Sequence, residues 1–76
     1  MIRMLSDGML KRYGLYGEMF ENRGLEIYLL FLQATDYVAC KLAEAQFLGT
    51  TLDEDYTEVL QARECAREQI RQLTNS

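Results

Sequence analysis

Residues 24–48 read GLEIYLLFLQATDYVACKLAEAQFL, and the way this stretch folds decides the architecture of the whole chain. Projected at about 100° per residue, Ile27, Phe31, Ala34, Val38, Leu42 and Ala45 form one ridge of a helix. Leu25, Tyr28, Leu32, Ala39 and Ala43 form a second ridge beside it. Glu26, Gln33, Asp36, Lys41 and Glu44 occupy the polar side. The two ridges span about half the circumference, against a stripe of about 100° that suffices to pack one neighbour. The periodicity therefore predicts one long helix over about 24–48, with an apolar face too wide for a single partner helix.

A second helix is expected over about 52–73. Leu52, Tyr56, Val59, Ala66, Ile70 and Leu73 recur in steps of three and four, with Arg63 in the one gap, which is a narrow seam. Thr51-Leu52-Asp53-Glu54 fits a capping box, in which the Thr hydroxyl and the Glu carboxylate satisfy free backbone N–H groups. The acids Asp53, Glu54, Asp55 and Glu58 lie where the helix dipole favours negative charge. Between the two helices, Gly49 suits the left-handed residue that ends a helix. So short a connection makes the helices antiparallel neighbours. Counting outward from the turn brings Arg63 near Asp36 and Tyr37. An Arg63–Asp36 ion pair is expected there, at the edge of the hairpin seam, contributing under about 1 kcal/mol if exposed.

Residues 1–23 are harder to read. Ser6 can cap a short helix over Asp7–Tyr13, with Lys11 and Arg12 in its last turn and Gly14 as its stop. Leu5, Met9, Tyr13, Tyr16 and Phe20 fall at helical spacing, but glycines at 8, 14 and 17 each cost about 1 kcal/mol inside a helix. One short helix and an irregular link are expected, with the aromatic residues docking on the wide face. The fold class is all-α, a single domain over 1–76.

The chain carries 8 bases and 12 acids, a net charge of −4. The imbalance lies in residues 24–76, where four bases face nine acids. An acidic surface repels phosphates, so nucleic acid and anionic lipid are poor partners. No apolar run approaches the roughly 20 residues of a membrane span, and Asp7, Lys11 and Arg12 interrupt any signal-peptide core. A cytoplasmic protein is expected, with incorporation in a virion as a further location. Histidine is absent, which removes the commonest general base and zinc ligand. Cys40 and Cys65 read as reduced, small apolar groups. No catalytic, metal or cofactor site is expected.

Leu32-Gln33-Ala34-Thr35-Asp36-Tyr37, then Lys41-Leu42-Ala43-Glu44, then Tyr56, Val59-Leu60 and Arg63 to Leu73, carry a resemblance. Residues 28–73 resemble a helical segment near the C-terminus of small proteins from phages and prophages of Gram-positive bacteria. Those proteins are often associated with tail or tail-fibre genes and mostly have no assigned activity. The resemblance implies a phage structural or assembly-accessory protein, with Asp36, Tyr37 and Arg63 as hairpin-locking residues. Two functional expectations follow. In the first, the chain acts by helical packing, and Tyr28, Leu29, Phe31 and Leu32 mediate self-association or bind a protein partner. In the second, Asp53, Glu54, Asp55 and Glu58 mimic nucleic-acid charge in a small inhibitor of a host protein such as a defence nuclease.

Overall fold

The computed structural model describes residues 5–17 and 24–75, and their regular structure is all helical. The elements are α1 (Asp7–Arg12), α2 (Leu25–Ala34), α3 (Asp36–Leu48) and α4 (Thr57–Asn75). In α1 the Ser6 hydroxyl accepts the Met9 N–H at 3.2 Å, and Asp7 and Lys11–Arg12 complement the dipole at the two ends. Gly14, at φ 74°, ends it: the Leu15 N–H reaches back to the Leu10 carbonyl at 2.8 Å and the Gly14 N–H to Lys11 at 3.1 Å. Gly49, at φ 71°, ends α3 in the same way, with the Thr50 N–H on the Ala45 carbonyl at 2.9 Å.

Two expected boundaries are corrected. The stretch 24–48 is not one helix: it breaks at Thr35, whose φ of −109° and ψ of 11° leave the α region. The Val38 N–H bonds to the Thr35 carbonyl at 3.0 Å, one residue nearer than the α pattern requires. The last helix starts at Thr57 rather than near Leu52, and Thr51 caps nothing. Asp55 wins the entry instead, because its Oδ1 accepts the Thr57 N–H at 3.0 Å in a tight local turn. Hydrogen bonds from the Thr57 hydroxyl and amide hold the Asp55 carboxyl below its ordinary value.

Residues 49–56 thus form a non-helical strap. Eight extended residues reach at most about 28 Å, enough to return along a 13-residue helix about 20 Å long. The return is marked by Tyr56, whose ring meets that of Tyr37 edge-on at 6.5 Å and 83°. The hairpin is therefore lopsided. Helix α2 packs chiefly on α4, whereas α3 contacts the other helices sparingly and has the strap at its side.

The core joins Ile27, Tyr28 and Phe31 of α2, Val38 of α3, and Val59 and Ala66 of α4 with Met9, Leu10 and Leu15 of the N-terminal segment. Tyr13 packs edge-on against Phe31 at 5.8 Å and 76°. Docking of residues 5–17 thus covers the wide face along α2, as its width required. Phe20 lies outside the described residues. No helix among those described is long and apolar enough to cross a membrane.

Candidate functional site

Two places in the molecule stand out, one buried and one exposed. The buried one is Arg63, on the inner face of α4 and only 4% exposed. Its Nη1 donates to the Leu32 carbonyl at 2.8 Å and to Thr35 Oγ1 at 2.6 Å. Its Nη2 donates to Asp36 Oδ1 at 3.1 Å. The Thr35 hydroxyl in turn donates to the Phe31 carbonyl at 2.7 Å. A continuous helix would give the Leu32 carbonyl to the Asp36 N–H; here it accepts from Arg63 and, at 3.3 Å, from the Thr35 N–H. Sharp helix breaks arise where a side chain inserts into the backbone ladder in this manner.

The exposed place is the tip where α3 meets the strap. Phe47 is 89% exposed and Leu48 59% exposed, the most open large apolar side chains among the described residues. Leu48 also lines a shallow cleft of about 210 Å³, whose walls include Glu44, Asp53, Glu54, Lys41 and Tyr56. Partial burial and a hydrogen bond to Glu54 raise the Tyr56 phenol above its ordinary value. The tip is thus an apolar point flanked by carboxylates.

The residues expected to form an interface fare unequally. Tyr28 and Phe31 are 3% and 0% exposed, so the expectation that they face a partner is corrected: α4 and the N-terminal segment enclose them. Leu32 is partly buried against the same core, while Leu29 remains 47% exposed. Burial also raises the Tyr28 phenol, with the Cys65 thiol adding to the effect. The acidic face expected over Asp53, Glu54, Asp55 and Glu58 is divided. Asp53 and Glu54 border the tip cleft. Asp55 is engaged with Thr57, and Glu58 lines a separate groove of about 520 Å³ with Leu5, Met9, Ala62 and Cys65.

Arg63 and Asp36 come together, but not as an exposed pair: the Arg63 side chain is 5% exposed and that of Asp36 67%. The C-terminal part of α4 carries the Arg71–Glu68 pair, three residues apart, and no disulfide joins Cys40 and Cys65. No cluster of metal-binding side chains occurs among the described residues. Sequence reasoning missed Thr35 as part of the Arg63 network, and it missed the open tip. The only signal for Thr35 was its place next to Asp36. Comparison of the chain with known protein families, with characterised proteins and with solved structures finds no match in any of the three.

Proposed function

We propose that the chain is a non-enzymatic phage structural or assembly-accessory protein, tail-associated, that works by packing its helical tip against a protein partner. The observation that carries this reading is Phe47, a large aromatic side chain 89% exposed on an ordered helix next to exposed Leu48. Burying a side chain of that size is worth about 1.5–3 kcal/mol, and the fold leaves the gain unused. Aromatic anchors of this kind dominate protein interfaces when they fill a pocket on the partner. The carboxylates of Glu44, Asp53 and Glu54 near the tip suit a socket with a basic rim. The resemblance of residues 28–73 to small phage proteins supports the phage assignment.

The test is affinity capture from lysogenic Gram-positive cells producing particles, with the wild type and the double variant F47D/L48D, both checked for helical folding. Co-purification of a virion component with the wild type, lost in the variant, is the expected result. Equal capture by both forms would remove the tip from the account. A second reading, an acidic inhibitor of a host protein, draws on the exposed Asp53 and Glu54. It requires capture of a host enzyme that weakens steeply as salt rises and survives F47D/L48D.

A further inference from the structure

The geometry around Thr35 points to a latch: Arg63 holds residues 25–48 as two helices, and without its hydrogen bonds the segment runs as one. The local sequence weakens the helix here without forcing a break: Thr35 and Asp36 are weak helix formers, and the Thr35 hydroxyl back-bonds to the Phe31 carbonyl. Gln33-Ala34-Thr35-Asp36 contains neither glycine nor proline, the two residues that interrupt helices by themselves. Both sides of the break carry strong helix formers and an unbroken apolar periodicity. What distinguishes the site is tertiary. The Leu32 carbonyl accepts from Arg63 at 2.8 Å and from the Thr35 N–H at 3.3 Å, not from the Asp36 N–H that an α-helix would supply. The Thr35 hydroxyl bridges, donating to Phe31 at 2.7 Å and accepting from Arg63 at 2.6 Å. Asp36, first residue of α3, takes the remaining guanidinium nitrogen at 3.1 Å. One side chain from α4 thus terminates α2, bonds the residue at the break, and holds the first residue of α3.

The latch also sets where the tip points. Helix α3 has 13 residues, so its far end lies about 20 Å from the break. A change of about 20° in the bend at Thr35, the threshold of a sharp kink, moves Phe47 by roughly 7 Å. It also pulls Tyr37 away from Tyr56, now 6.5 Å apart. The inference is independent of the identity of any partner, since it concerns the chain alone.

The experiment is nuclear magnetic resonance on the labelled full chain, comparing the wild type with R63M, which keeps a long side chain and removes every donor. In the wild type, Thr35 has a non-helical Cα shift and the Asp36 amide exchanges fast. In R63M, Thr35 takes a helical shift, Asp36 exchange slows at least tenfold, and the Tyr37–Tyr56 ring contacts vanish. A folded R63M with the wild-type pattern at 35–36 overturns the latch. Should R63M fail to fold, R63K decides, because it keeps the charge and the Thr35 hydroxyl while its single ammonium cannot hold Leu32, Thr35 and Asp36 together. Slower Asp36 exchange in R63K supports the latch, and unchanged exchange overturns it.

Discussion

Asp36 and Thr35 are both bonded to Arg63, yet their removal should have different costs. The Asp36 side chain is 67% exposed, so its ion pair with Arg63 is partly solvated. The Arg63 end is buried, so the pair exceeds a fully solvated one, and D36N, which keeps an acceptor oxygen for Nη2, should cost about 1 kcal/mol. Thr35 is fully buried, and its hydroxyl lies 2.6 Å from Arg63 Nη1 and 2.7 Å from the Phe31 carbonyl. Hydrogen bonds to a charged group contribute about 1.5–3 kcal/mol, so T35V should cost about 2 kcal/mol. Two double-mutant cycles with R63M separate the effects. The Thr35–Arg63 coupling should be about 1–2 kcal/mol, and the Asp36–Arg63 coupling below about 1 kcal/mol. Urea unfolding followed by far-ultraviolet circular dichroism gives the free energies. Added salt should shrink the Asp36 coupling further and leave that of Thr35 unchanged. An Asp36–Arg63 coupling equal to or larger than the Thr35 coupling would refute the reasoning, because the arginine would then act mainly through its ion pair.

Three further outcomes follow from the same contacts. Phe31→Ala should cost about 3–5 kcal/mol and abolish folding of so small a domain, whereas Phe47→Ala should change stability by less than about 0.5 kcal/mol; thermal melts of both variants check this. Gly49→Ala forces a Cβ into the left-handed region at φ 71° and should cost about 1 kcal/mol, read as a lower urea midpoint. The folded Asp55 carboxyl is held below its ordinary value by Thr57, so it contributes stability above the ordinary carboxylate pKa and loses it as pH falls through the folded value. D55N should therefore flatten the acid limb of the stability–pH curve, with no effect on its slope near neutrality.

The helical class and the turn at Gly49 were legible because they depend on short-range patterns. Gly49 follows an apolar helix directly, and its stop geometry is local. Counting outward from that turn brought Arg63 to Asp36. The break at Thr35 was not legible, since the arginine bonded there comes from 28 residues away on α4, and Thr35 and Asp36, though weak helix formers, do not end a helix by themselves. The start of α4 was misplaced because two capping signals compete within five residues. Thr51 with Glu54 makes the familiar box, but Asp55 is the better acceptor, and the Tyr56 ring is engaged with Tyr37. The site was misread for a related reason. The sequence predicts docking of the N-terminal aromatic residues on the wide face, and Tyr13 meets Phe31, but periodicity does not say that this docking and α4 together enclose Tyr28 and Phe31. Nor does it single out Phe47, whose exposure arises because the strap, not a helix, flanks α3.

The proposed role depends on the tip meeting a protein, and site-specific photo-cross-linking tests it most directly. A photoreactive phenylalanine analogue placed at position 47, and in a parallel strain at position 29, is activated in cells producing particles. Position 47 should cross-link to a structural protein of the virion, while position 29, exposed but away from the tip, should not. Cross-links from position 29 with none from 47, or from 47 only to a host enzyme or to a second copy of the chain, would contradict it.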